Sequence, residues 1–354
     1  MPSLPRLAAV AAAVLMSTTV TVGSSAAATD PARATSAVLA AASSDVATGL
    51  QVPWAMVPLA DGAALVTERN TGRIYRVKPG TPKQLYTTVP GVVASGEGGL
   101  LGIALSQGFP KDRRYFVYYT TAHDNRVAMM LAGSTAAPRP IVTTIRKAGN
   151  HNGGGLLVMG NDLYIGTGDA GDTTLPQYSS SLNGKVLRVR YDGTPSAGNR
   201  WGKVFTMGHR NVQGLTPAPD GRTVYATELG QNDQDEVNWI RSGGLNYGWP
   251  SCEGRCTDPR YTNPIQTWLT SEASPSGISS VGSGSARTYY VGALRGTRLW
   301  KMKIVDNRVV SRQSIVQGTF GRIRAVMGRT DGSLWITTSN NDGADRVIRF
   351  APAP

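Results

Sequence analysis

The sequence predicts an all-β protein, a six-bladed β-propeller of four-stranded antiparallel blades, and three observations carry that reading. Short apolar, β-branched or aromatic runs recur in pairs along the chain, the pattern of strands joined by turns. The pairs repeat at roughly 45 to 65 residues, which leaves room for two more strands per unit and matches the size of a propeller blade. Asp-Gly turn signals stand before several of the first runs, and no long amphipathic helical stretch interrupts the series.

The first members of the pairs are residues 65–68, 115–121, 163–168, 224–228, 289–294 and 334–339, read as the inner strands. Their partners are residues 74–77, 127–131, 186–189, 237–240, 299–304 and 347–350. Asp61-Gly62, Asp220-Gly221 and Asp331-Gly332 supply the repeated turn, with Asn161-Asp162 as a weaker copy. A two-sheet sandwich would not need six copies of one unit. Blades bury their faces only against neighbours, so one domain is expected despite the length of 354 residues.

The propeller is expected over residues 48–354, after two segments of different character. Residues 1–28 have the layout of a secretory signal: Arg6, an apolar run over 7–16, then small residues ending in Ala26-Ala27-Ala28. That run is too short to span a bilayer, so an exported, secreted protein with no membrane span is expected. Residues 29–47 lack aromatic residues and turn chemistry and read as a flexible lead-in. An exported chain meets an oxidising compartment, where Cys252 and Cys256 are expected to form a local disulfide. A zinc site would need about four ligands, and no histidine stands near them. The net charge of +13 is spread singly with no Lys/Arg run, which argues against nucleic acid and leaves a small anionic ligand open.

Polar clusters beside the strands carry the candidate chemistry. His151 stands in Gly149-Asn150-His151-Asn152-Gly153-Gly154-Gly155, among residues with little bulk, where it is either an approachable general base or a turn histidine. His209 precedes Arg210 and Asn211, whose donors suit an oxyanion or carboxylate; His209 itself reads equally as a structural residue. His123, in a polar turn, reads as surface. The acidic loops at residues 168–172 and 227–236 offer oxygens to a hard cation such as Ca²⁺ or are simply solvated turns. Arg322 and Arg324 alternate on one strand face, an arrangement that needs an anion to offset repulsion, and Arg295 is a further candidate.

Six segments together resemble the soluble quinoprotein aldose (glucose/sorbosone) dehydrogenase family: Val52-Pro53-Trp54, Gly96-Glu97-Gly98-Gly99-Leu100-Leu101-Gly102, Asn150-His151-Asn152-Gly153-Gly154, Gly208-His209-Arg210-Asn211, Asn246-Tyr247-Gly248-Trp249-Pro250 and Gly292-Ala293-Leu294-Arg295. They stand in that family's order and cover about residues 48 to 351. The resemblance implies a bound pyrroloquinoline quinone (PQQ) and Ca²⁺, an aldose oxidised at its anomeric carbon to the lactone, and electrons passed to an external acceptor. It implies that His151 is the base, Asp169 its orienting carboxylate and Arg210 the cation over the reacting carbonyl. Asn211, Arg295, Arg322 and Arg324 would contact the cofactor, the carbonyls of Gly230 and Gln231 the calcium, and Glu97 the sugar. The best-known glucose-oxidising members carry lysine at Arg295, proline at Gln231 and glutamine at Glu97; the last difference bears on which sugar is accepted. The chain has no long insertion like those that build their dimer interface, so a monomer is expected. Two rival classes are a cofactor-free propeller that binds protein or glycan, which has no reason to keep His151, Arg210 and three arginines, and a calcium-dependent lactone or ester hydrolase, which leaves those arginines without a shared anion.

Overall fold

The computed structural model describes residues 1–2, 38–39, 42–341 and 343–354; the expected leader lies outside them apart from its first two residues. Strand β1 (Ser43–Leu50) is followed by blade 1, made of β2 (Pro53–Pro58), β3 (Ala64–Glu68), β4 (Arg73–Lys78) and β5 (Thr81–Thr88). Blade 2 is β6 (Leu100–Leu105), β7 (Arg114–Thr120), β8 (Asn125–Leu131) and β9 (Arg139–Ile145). Blade 3 is β10 (Leu156–Met159), β11 (Asp162–Gly166), β12 (Lys185–Arg190) and β13 (Val204–Met207). Blade 4 is β14 (Val212–Pro217), β15 (Val224–Glu228), β16 (Gln234–Ile240) and β17 (Gln266–Leu269). Blade 5 is β18 (Pro275–Val281), β19 (Thr288–Ala293), β20 (Arg298–Val305) and β21 (Arg308–Ile315). Blade 6 is β22 (Ile323–Gly328), β23 (Leu334–Thr338) and β24 (Asp345–Phe350), completed by β1 on its outer edge, with Ser43 opposite Phe350. All pairs within blades are antiparallel, and among the described residues of the propeller the only helical elements are two 3₁₀ turns. No helix among the described residues is long and apolar enough to cross a membrane.

The six blades stand as predicted, but the predicted inner strands are second in each sheet. The strands that pack around the axis are β2, β6, β10, β14, β18 and β22. The sequence misleads for a physical reason: second strands such as β3, β11, β15 and β23 are buried along their whole length and therefore carry the strongest apolar signal. Inner strands are crowded instead, and a side chain has little room. A Cβ on Gly102 would lie 2.1 Å from the Gly154 carbonyl, and one on Gly214 2.2 Å from that of Ser276. Register breaks at Pro53/Met56, Leu100/Ile103, Val212/Gly214, Pro275/Ile278 and Ile323/Val326 put a bulge at the same height of five inner strands. A second correction concerns the lead-in: its residues 43–47 are already β1, ordered by the β24 ladder.

The core is divided among the blade interfaces. One buried cluster joins Leu65 and Ile74 of blade 1 to Leu100 and Val117 of blade 2, and another joins Val46 and Val347 of blade 6 to Ala64 and Val66 of blade 1. Threonines in second strands pin neighbours together: Thr67 Oγ1 donates to the Leu101 carbonyl at 2.7 Å and Thr337 Oγ1 to that of Pro53 at 2.9 Å. Asp61, Asp220 and Asp331 cap the Asp-Gly turns as expected. Those turns face one end of the ring, and the loops that enter the inner strands face the other.

Candidate active site

The sequence-predicted residues gather at the second end. His151 sits in the loop before β10 with φ 51°, a left-handed conformation that its neighbours over-determine. Its amide donates to Glu97 Oε2 at 2.9 Å and its carbonyl accepts from Ala170. Gly168 is required beside it, because a Cβ there would lie 1.8 Å from the His151 carbonyl. Asn152, almost wholly buried, anchors the same loop through Asn125 and Ala148, while Tyr118 donates to its carbonyl.

His151 Nδ1 lies 2.7 Å from Asp169 Oδ1. Asp169 also accepts from the amide of Gly171 at 2.8 Å and, through Oδ2, from the indole Nε1 of Trp249 at 2.9 Å. A carboxylate accepting from three directions makes His151 Nδ1 the donor, so the lone pair sits on Nε2. The nearest described partner of Nε2 is Asn150 at 3.5 Å, at the outer limit of a hydrogen bond.

Arg210 and Asn211 enter from the loop before β14. The Arg210 amide donates to Glu228, its Nη1 donates to the Leu229 carbonyl at 3.0 Å, and its guanidinium lies 5.5 Å from the centre of the Trp249 ring. Burial pulls the Arg210 pKa down, with the charges of Asp169 and Glu228 opposing. Its Nε and the Nδ2 of Asn211 are buried with no partner among the described residues, whereas Asn211 Oδ1 takes the Gly153 amide at 3.0 Å.

His209 is structural. Nδ1 meets Glu228 Oε2 at 2.8 Å, Nε2 meets Thr206 Oγ1 at 2.8 Å, and the ring stacks on Tyr247. His123 is exposed in the β7–β8 turn.

Gly230 and Gln231 follow β15. The amides of residues 231–234 converge on Glu253 Oε1, at 2.6, 2.9, 3.0 and 3.1 Å, and the carbonyls of Gly230 and Gln231 accept no hydrogen bond among the described residues. Glu253 stands inside the loop closed by the Cys252–Cys256 disulfide, which forms as expected with Cα atoms 5.8 Å apart. Among the described residues no cluster of three or more His, Cys, Asp or Glu is arranged to hold a metal.

Arg324 falls in the β22 bulge and turns toward the axis, fully buried, donating to Ser339 Oγ at 3.0 Å and Gln213 Oε1 at 3.2 Å. Arg322 is half-buried, and its Nε has no partner. Neither has an ion-pair partner among the described residues, and the carboxylate whose charge acts most on Arg322 is Glu97. Arg295 is exposed after β19, with no described contact to the other two. Sequence reasoning missed three residues of this end: Trp249, which it quoted only as part of a motif, Glu253 and Arg69.

Residues 50–349 match the model of the glucose/sorbosone dehydrogenase family. The chain belongs to that family. Among solved structures it resembles the PQQ-bound form of an aldose sugar dehydrogenase from Streptomyces coelicolor, with a TM-score of 0.81 and 39% identity over 86% of this chain and 96% of that one. Aldose sugar dehydrogenase YliI of Escherichia coli is 26% identical over 86% of this chain and 91% of its own. Quinoprotein glucose dehydrogenase B of Acinetobacter calcoaceticus is 30% identical over 61% of this chain and 54% of its own. In the glucose/sorbosone dehydrogenase fold seen here, His151, its carboxylate partner Asp169 and arginines without an ion-pair partner among the described residues share one end of the ring.

Proposed function

We propose that this protein is a secreted, PQQ- and Ca²⁺-dependent dehydrogenase that oxidises an aldose at its anomeric carbon to the lactone and passes the electrons to an external acceptor. The observation that carries the reading is a histidine with one nitrogen fixed on Asp169 and the other free, on the same face as arginines that have no carboxylate partner. Residues of the chain fit the cofactor on physical grounds. Arg210 Nε, Asn211 Nδ2 and Arg322 Nε are buried donors without acceptors, a costly state that an anionic, carbonyl-bearing ligand relieves. The carbonyls of Gly230 and Gln231 supply two hard oxygens for calcium, held outward because their loop's amides are engaged by Glu253.

When bound, PQQ supplies a quinone that takes up the hydride released as the anomeric C–H bond breaks and the C=O bond forms. His151 Nε2 accepts the proton of the anomeric hydroxyl. Asp169 orients the ring and stabilises the positive charge that develops on it, while Trp249 and Gly171 keep its oxygens in place. Arg210, held by Leu229 and faced by Trp249, presents fixed positive charge where negative charge develops. Glu97, exposed beside His151, accepts from sugar hydroxyls and, being a carboxylate, selects among sugars by the donors they present. The test is purification without cofactor, followed by PQQ, calcium, a panel of aldoses and a dye acceptor. Dye reduction that needs both additions is the expected result, and none with any sugar overturns the reading.

A further inference from the structure

We propose that Arg69 is a third guanidinium of the polyanion site built by Arg322 and Arg324, and that it grips a ligand carboxylate from the blade 1 side. Arg69 ends the β3 strand region, its amide donating to the Val52 carbonyl at 3.1 Å and its carbonyl accepting from Leu100 at 3.0 Å, so its backbone is fixed between blades 1 and 2. Gly99 must lack a side chain to permit this, because a Cβ there would lie 2.2 Å from the Arg69 carbonyl. From that position Arg69 faces a cavity of about 380 Å³ shared with Val52 of the β1–β2 link and Asn340 of blade 6. Asn340 Oδ1 accepts from Ser339 Oγ at 3.1 Å, and Ser339 Oγ in turn accepts from Arg324 Nε. Asn340 thus links the cavity wall to the hydrogen bonds of Arg324, although Arg322 and Arg324 do not themselves line the cavity.

The electrostatics agree with that geometry. Burial pulls the Arg324 pKa down to about 9, and the next cause is the charge of Arg69, followed by Arg322. Burial also lowers Arg69, with Glu97 and Asp345 opposing and Arg322 adding to it. Neither carboxylate neutralises the group. Asp345 is committed to the Val52 amide, Thr338 and Asn341, and Glu97 to the amide of His151. Arg69's described side-chain bond is Nε to the Asn70 carboxamide at 3.0 Å, a neutral acceptor. Three mutually repelling guanidinium groups without an ion-pair partner among the described residues define a place for an anion with more than one carboxylate. That the ligand is PQQ rests on the proposed function; the site itself does not.

The test measures binding alone, with no sugar or dye: calorimetric titration of PQQ, with calcium, into cofactor-free wild type, Arg69→Gln, Arg69→Lys and the remote surface control Arg260→Gln. Citrate is titrated in parallel as a second polycarboxylate, and thermal unfolding confirms that each variant is folded. A lost charge-assisted bond weakens PQQ about ten- to a hundred-fold in Arg69→Gln. Arg69→Lys, which keeps charge but not the fork, falls between, and Arg260→Gln matches wild type. An Arg69→Gln dissociation constant equal to wild type overturns the role of Arg69 while leaving PQQ binding intact. Should wild type bind no PQQ but bind citrate in an Arg69-dependent way, the cofactor reading fails and the site stands. Binding of neither probe by wild type overturns the site.

Discussion

His151 and His209 each set Nδ1 against a carboxylate, at 2.7 Å from Asp169 and 2.8 Å from Glu228, yet the two pairs do different work. The difference lies at the other nitrogen. His209 Nε2 is held by Thr206, its ring is stacked on Tyr247 and its side chain is fully buried, so the imidazole has no free atom to react. The His151 side chain keeps 15% of its exposure, and Nε2 has only a marginal contact with Asn150. His209 is therefore a strut with both nitrogens consumed, whereas His151 keeps one nitrogen for a partner, the arrangement that a general base needs. Glu228 also accepts from the Arg210 amide and so ties the strut to the loop that carries Arg210.

Four measurements test this contrast. Replacement of His151 by Ala is expected to lower kcat by about two to four orders of magnitude, roughly 3–5 kcal/mol of barrier, with PQQ affinity changed less than about threefold. Unchanged turnover would remove His151 from the chemistry. His209→Ala strands buried partners and opens a gap under Tyr247, so the expected loss is about 2–4 kcal/mol of stability, read as a fall in Tm of the order of 5–10 °C. A collapse of kcat with no change in Tm would invert the comparison. Trp249→Phe removes one donor from Asp169 and keeps a ring facing Arg210; kcat should fall about tenfold while PQQ affinity and Tm hold. Full activity in that variant would show that Asp169 needs no second support.

The last effect lies behind the strut. Lys185 is buried and donates to the carbonyls of Leu175, Pro176 and Asn183, and Pro176 in turn accepts from the Gly208 amide. Burial lowers its pKa to about 7 from the ordinary 10.5. Between those values the folded chain binds fewer protons than the unfolded one, so stability rises with pH across the window and the burial penalty is complete below it. Lys185→Met should flatten that slope in urea titrations at pH 7 and 10. A slope unchanged from wild type would assign the dependence to another group.

What could be read in the sequence follows from how local each signal is. Second and third strands announced themselves because a strand buried between blades needs continuous apolar residues, as in residues 65–68 and 224–228. Inner strands were hidden, since Gly102, Gly214 and Gly277 answer to crowding at the axis and leave no periodicity. β1 was hidden for a different reason: its partner lies some 300 positions away, and its polar alternation looks like a tail. His151, Asp169 and Arg210 were legible through motif resemblance, and the fold brings them together. Trp249 and Glu253 meet partners in other loops, Asp169 and the amides of residues 231–234, and no spacing rule reveals such contacts. Arg324 falls in the β22 bulge, where alternation read from the sequence no longer decides which face it shares with Arg322.

The seam in blade 6 has a further consequence. Ser43 opposite Phe350 puts both ends of the propeller in one sheet, so the order in which the blades are strung is a choice of where the circle is opened. A permutant with the present ends joined and new ends in the exposed loop around Thr135, between β8 and β9, would keep every blade and every site residue in place. Its clasp would move to blade 2, with β9 taking the part that β1 now plays. What changes is the timetable. In the natural order blade 6 cannot shut until β24, the last strand of the propeller, is made, and such long-range closure is intrinsically slow; the permutant would shut blade 6 early and wait for blade 2.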